Sequence, residues 1–208
     1  MTDLKPLIIG IGGTLRPGSS TELAIRIALQ AAERAGARVI MLSGNDLVLS
    51  MYNPEEATRP PASTRLVDLI RESDGLIIGS PGYHGSVSGL VKNALDYTED
   101  LRDDTRPYLD HRAVGCIACA AGWQAVGSTL ASLRAIVHAL RGWPTPLAAG
   151  VNTTQRVFDP SGRCLDEGIA LQLTTVGQQV VDFALAFRGA AISQGGKGGM
   201  RSKMPTLL

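Results

Sequence analysis

The 208-residue chain has little cysteine, little histidine and almost no net charge. Its three cysteines are an odd number, as expected of reduced thiols and not of a disulfide framework. One pair forms a C-x-x-C, Cys116 and Cys119 in "VGCIACAAG", but there is no second such pair and there are only three histidines to complete a zinc site. The stretch reads as a strand, where residues three apart point to opposite faces. That spacing opposes both a disulfide and a shared metal, so the two cysteines are expected to be small buried residues. A formal net charge of +1 gives no ground for a nucleic acid or an anionic membrane as partner. No apolar run is long enough to span a bilayer, and no charged start leads into an apolar signal core. The expected location is the cytoplasm, where the N-x-T pattern at Asn152 carries no meaning.

What is present is ordinary for a globular chain: 44% hydrophobic and 19% charged residues, enough to bury one core without disulfides or metals. Short apolar runs alternate with longer amphipathic segments. "KPLIIGIGG", "ARVIML", "GLIIGSP", "AVGCIACA" and "TPLAAGV" read as five strands. Between and after them lie five helical patterns: Ser20 to Ala35, closed by Gly36; "STRLVDLIRES", with Ser63 as N-cap; about Ser88 to Tyr97; "VGSTLASLRAIVHALRGW"; and "DEGIALQLTTVGQQVVDFALAFRG". Leu90, Leu95 and Tyr97 are expected to pack on the sheet or on a second subunit. The alternation predicts one α/β domain over residues 1–190 with a mostly parallel sheet, and a flexible Gly/Lys-rich tail at 191–208. Ligands of such sheets bind beyond the carboxyl ends of the strands, so the loops after the first, third and fourth strands are the candidates.

The first of these, "GIGGTLRPGSST", nearly fits two phosphate motifs. A dinucleotide fingerprint needs a third glycine where Leu15 stands, and a triphosphate loop needs a lysine where Ser19 stands. There remain hydroxyls at Thr14, Ser19, Ser20 and Thr21, the guanidinium of Arg16, and a helix N-terminus behind them. That set suits a single phosphate ester held without metal; a mere helix cap needs one hydroxyl. The second loop, Pro81, Gly82, Tyr83, His84, Gly85 and Ser86, offers backbone amides and carbonyls to a planar hydrogen-bonding ring. Taken alone, Tyr83 reads equally as a packing residue and His84 as a solvent-facing turn residue. In the third loop Gly122 permits close approach of a ligand, while Trp123 either covers a ring system or an apolar edge.

"GTLRPGSST" resembles the G-S-x-R-x-x-S-x-N phosphate loop of the NAD(P)H-dependent FMN reductases, a flavodoxin-like family. "PGYHGSVSGLVKNALDY" resembles that family's P-x-Y-N-x-S-x-P-G-x-L-K-N-x-x-D segment, and "AAGWQAVGSTLASLRAIVHALRGWPTP" its third flavin loop. The resemblance reaches from about residue 7 to residue 150. It implies a flavodoxin-like three-layer α/β sandwich with a five-stranded parallel sheet in the order 2-1-3-4-5. It implies FMN held by Thr14, Arg16, Ser19 and Thr21, with Ser20 close by, and its ring or ribityl chain against Pro81, Gly82, Tyr83, His84, Gly85 and Ser86. Gly122 and Trp123 close the pyrimidine side.

Four departures stand out. Thr14 and Thr21 replace the usual Ser and Asn, His84 the usual Asn, and Ser88 the usual proline. The His84 change alters the contact that the resemblance implies there; a histidine at the flavin could donate to a reduced flavin or to a substrate carbonyl. The implied activity is hydride transfer from NADPH or NADH to FMN, with no catalytic side chain and no metal. Reduced flavin then goes to a partner monooxygenase or reduces a second acceptor. The alternatives are a quinone, azo-dye or metal-oxyanion reductase with retained FMN, or a flavodoxin-like electron carrier. The family implies a homodimer or homotetramer, and Arg102 and Arg106 are candidates to meet the nicotinamide cofactor's phosphate.

Overall fold

The computed structural model describes residues 5–195. β1 (Leu7–Gly12) is buried throughout, as its unbroken apolar run requires of a strand covered on both faces. Then come α1 (Ser20–Arg34), β2 (Arg38–Leu42), α2 (Pro61–Glu72), β3 (Gly75–Tyr83), β4 (Ser86–Val87), α3 (Gly89–Asp96) and β5 (Ala113–Ala120). α4 (Trp123–Ala139), β6 (Trp143–Pro144), β7 (Ala149–Asn152) and α5 (Glu167–Gly195) complete the order. β2, β1, β3 and β5 pair in parallel in that sequence, and β6 and β7 both pair in parallel with the outer edge of β5. The 2-1-3-4-5 order is therefore present, with the fifth strand in two pieces. The break has a local cause: Pro146 has no N–H, and the Leu147 N–H goes to Gln179 Oε1 at 3.1 Å instead of to the ladder.

Side chains alternate between the sheet faces. Ile8, Ile77, Ile117 and Cys119 pack with α1 and α5; Ile9, Ile78, Val114 and Cys116 pack with α2, α3 and α4. The two cysteines thus lie on opposite faces as their spacing predicts, and burial pushes both thiols up to about 12. Leu95 and Tyr97 are consumed by this core, so the sheet and not a second subunit takes them. α1 and α5 meet closely enough that a Cβ on Gly177 would overlap the Ala28 carbonyl. Only glycine permits that approach.

Three expectations are corrected. Ser63 is not the N-cap of α2: Pro60 is, with Pro61 in the first helical position, where its missing N–H matters least, and the Ser63 hydroxyl donates to Pro60 O at 2.9 Å. α4 begins at Trp123, three residues before the expected start, so Trp123 is helical. α5 runs to Gly195, past the residue-190 boundary; the remainder of the tail, 196–208, lies outside the described residues.

The amino-terminal end of the sheet is closed by arginines. Arg112, 1% exposed, donates to the carbonyls of Ser73 (3.2 Å), Tyr108 (3.3 Å), Asp110 (3.1 Å) and Arg71 (2.8 Å). Burial lowers it to about 10, which leaves it cationic at neutral pH. Arg188 forks onto Asp74 at 2.9 and 2.6 Å, and Asp74 also accepts the Leu7 N–H at 2.8 Å. Arg106 bonds the carbonyls of Arg71 and Ser73 at 2.9 and 3.1 Å, and Arg102 pairs with Glu99 at 3.0 Å. Ser73 precedes β3, so within this chain Arg106 sits at the opposite end of the sheet from the three loops.

Candidate active site

The loops after β1, β3 and β5 follow three strands that are neighbours in the sheet. β1 and β3 converge where Gly12 pairs with Gly79, and a Cβ on Gly12 would overlap the Gly79 carbonyl. The chain then leaves the sheet at Gly13, whose N–H reaches Gly79 O at 3.4 Å. Thr14 folds the loop on itself, accepting the Arg16 N–H at 3.1 Å. Leu15 to Gly18 are exposed, and the Arg16 guanidinium makes no hydrogen bond or ion pair among the described residues. Ser19 is the N-cap of α1, and its hydroxyl accepts from Glu22 N at 3.3 Å. Thr21 is 2% exposed and turns its hydroxyl to the Cys119 thiol. Of the four hydroxyls, those of Thr14 and Ser20 stay at the half-buried rim, while Ser19 and Thr21 serve the fold. The backbone N–H groups of Ser19, Ser20 and Thr21 have no protein acceptor among the described residues. Three such donors at a helix start, beside one free guanidinium, form a donor set for an anion.

β3 runs on into a hairpin with β4, Gly82 opposite Val87 and Tyr83 opposite Ser86. His84 and Gly85 make the two-residue turn with φ of 52° and 88°, the left-handed pair of a type I′ turn. Asn and His tolerate that region better than most residues, so the backbone accounts for His84 where the family carries Asn. Tyr83 is 53% exposed, and His84, Gly85 and Ser86 are exposed beside it, while Pro81 is buried. Ser88, in place of the usual proline, caps α3 by accepting the Val91 N–H at 3.2 Å. The hairpin is held to the end of β5 and to α4: Gly82 packs against Ala120 and Thr129, and the Thr129 hydroxyl reaches Ser86 O at 3.4 Å.

Gly122, with φ of 115°, starts α4, and Trp123 is 64% exposed with its ring edge near Gly150. The sequence pattern missed the residue that fixes this loop. Asn152, at the end of β7, accepts the N–H of Gly122 at 3.0 Å and both the N–H and hydroxyl of Thr154 at 3.1 and 2.9 Å. Its signal was a short polar residue closing the last strand. Asn93, in the segment that resembles the K-N-x-x-D motif, holds the stretch after β2: it accepts the Tyr52 N–H at 2.9 Å and donates to Ser50 O at 2.9 Å.

A comparison with known protein families covers these same loops. Residues 6–155 match the family described as NADPH-dependent FMN reductase. The chain belongs to that family. An NAD(P)H-dependent FMN reductase of Pseudomonas aeruginosa is 27% identical over 172 residues, 79% of this chain and 86% of that protein. An FMN-dependent NADPH-azoreductase of Staphylococcus saprophyticus is 33% identical over 54% of this chain and 57% of its own length. The NAD(P)H:acceptor flavoenzyme FerB of Paracoccus denitrificans shares the fold with a TM-score of 0.63 at 22% identity, covering 88% of this chain and 98% of that one. As an FMN reductase family member the chain is an oxidoreductase with FMN and NAD(P)H as its cofactors. Within the family fold, the matched segment takes in all three loops and Asn152.

Proposed function

We propose that this chain takes hydride from NADPH or NADH onto FMN seated across the three loops, and releases the electrons as reduced flavin. The observation that carries this reading is the set of unpaired N–H groups at Ser19, Ser20 and Thr21 beside the unpaired Arg16, one strand away from an amide-rich hairpin. Arg16 and the hydroxyls of Thr14 and Ser20 hold the phosphate from the rim, while Ser19 and Thr21 contribute their backbone N–H groups. Pro81, Gly82, Tyr83, His84, Gly85 and Ser86 line the ring and ribityl chain, and Gly122 and Trp123 close the pyrimidine side. Bound FMN supplies the hydride-accepting ring. No side chain need gain or lose a proton in that transfer, so the protein's part is to seat and orient the two rings.

The FMN-binding unit is one domain that reaches to the end of α5 at Gly195, acting in the cytoplasm as a homodimer or homotetramer. Its partners are small molecules and a monooxygenase that consumes reduced flavin, with no nucleic acid or membrane among them. A second reading, retained FMN reducing a quinone, azo dye or metal oxyanion, is supported by the azoreductase relative. A carrier of the flavodoxin type is disfavoured by a net charge of +1, because such carriers present acidic docking faces. The test is spectroscopic: the purified protein with FMN absorbs near about 450 nm and bleaches on anaerobic addition of NADPH or NADH. Bound FMN that neither nucleotide bleaches refutes the reductase.

A further inference from the structure

The residue closest to the unpaired amides that is not yet accounted for is an acid. Glu22 stands in the first turn of α1 and is 9% exposed. In an ordinary capping box an acid at this position bonds the N–H of the capping residue itself. Here Glu22 Oε2 reaches one residue further and accepts the Gly18 N–H at 3.0 Å, so the Ser19 N–H stays free. Its other oxygen, Oε1, is gripped by Arg26 through Nε at 3.1 Å and a terminal nitrogen at 2.7 Å. The loop and the first two turns of α1 therefore contain two guanidiniums, of which one, Arg16, is unpaired and the other is neutralised within the protein.

We propose that the Glu22–Arg26 pair sets how tightly the loop holds the FMN phosphate, with Glu22 acting as a resident anion that keeps the flavin exchangeable; this rests on the FMN reading of the loop. Two effects have the same sign. The carboxylate occupies the Gly18 amide, which would otherwise join Ser19, Ser20 and Thr21 as a donor. It also places a negative charge at the helix start that would face the dianion, on a side chain that is itself only 9% exposed and so is incompletely screened by solvent. In the flavin-free protein the same carboxylate favours the positive helix end, which stabilises the state that competes with bound FMN. Arg26 offsets part of this charge. The pair thus favours flavin that leaves after reduction over flavin held as a permanent group.

The experiment titrates the full-length flavin-free chain with FMN and with riboflavin, following flavin fluorescence. Glu22→Gln keeps an oxygen to accept the Gly18 N–H and removes only the charge. It is expected to tighten FMN roughly 5–10-fold, to slow FMN release in step and to leave riboflavin within about twofold. Arg26→Gln is expected to weaken FMN about threefold or more, and Arg26→Lys to restore it, because charge and not the fork is what matters. Opposite signs for the two Gln variants are the signature; a merely structural pair weakens both flavins in both variants. Unchanged or weaker FMN binding by Glu22→Gln overturns the proposal. If that variant does not fold, Arg26→Gln with unchanged or tighter FMN binding does so. Arg16→Ala is the separate arm: equal loss of FMN and riboflavin there refutes the phosphate reading of the loop itself, whereas selective loss of FMN without tightening by Glu22→Gln refutes only the role of the pair.

Discussion

The two ends of the same sheet use charge in opposite ways. At the amino-terminal end every arginine in the cluster is engaged: Arg112 is buried against four carbonyls, Arg188 forks onto Asp74, and Arg106 ties two of the same carbonyls, those of Arg71 and Ser73. At the carboxyl end Arg16 is exposed and unpaired, and three backbone amides lack acceptors. Satisfied polar groups close a structure, and unsatisfied ones at a strand-to-helix turn hold a place for a ligand. The contrast separates stability from binding within one sheet, and each half can be attacked alone.

The largest effect is expected at the closed end. Arg112→Ala leaves the carbonyls of Tyr108 and Asp110 without their donor and those of Arg71 and Ser73 with Arg106 alone, empties a buried site, and should cost about 3–4 kcal/mol in urea unfolding. FMN affinity of the molecules that remain folded should not change; a parallel loss of affinity would break the division. At the open end, Arg16→Ala should weaken FMN by about 1.5–3 kcal/mol in a binding titration, spare riboflavin, and move unfolding stability by no more than about 0.5 kcal/mol. Asn152→Ala removes the side-chain acceptor that holds Gly122, leaving its N–H to Ala120 O alone, and should weaken FMN and riboflavin alike, by about 0.5–1.5 kcal/mol. Selective loss of FMN in that variant would place Asn152 at the phosphate and not behind the third loop. The smallest effect is expected from His84→Asn, which keeps a residue suited to φ of 52°: stability and FMN affinity should each stay within about 0.5 kcal/mol. A large fall in NADPH oxidation with intact FMN binding would instead give the imidazole a chemical role.

Much of the fold could be read from apolar runs, because strands buried on both faces have no other sequence solution. What could not be read were the places where a single group decides. The fifth strand breaks because one proline lacks a donor and one glutamine, more than thirty residues away in sequence, takes its neighbour's amide. α2 starts at Pro61 because a proline fits the first helical position better than a serine is needed to cap it. In the first loop the residue types pointed to an anion, but their division of labour did not show. Ser19 and Thr21 look like Thr14 and Ser20 in sequence, and only burial separates hydroxyls that serve the fold from those at the rim. Asn152 and Glu22 escaped notice for a related reason: each acts on a backbone amide in another segment or turn, which no periodicity records.

The close contact between Gly177 and Ala28 has a consequence for the loop at the far end of α1. A helix that meets its neighbour backbone to backbone cannot slide or roll without losing that fit. α1 is therefore a fixed origin for the three amides at its start, and under the proposed FMN reading the freedom lost on binding phosphate falls on the short exposed stretch from Leu15 to Gly18. Ordering so few residues carries a small entropic penalty. Such a still frame is what the proposed exchange of flavin at this loop requires.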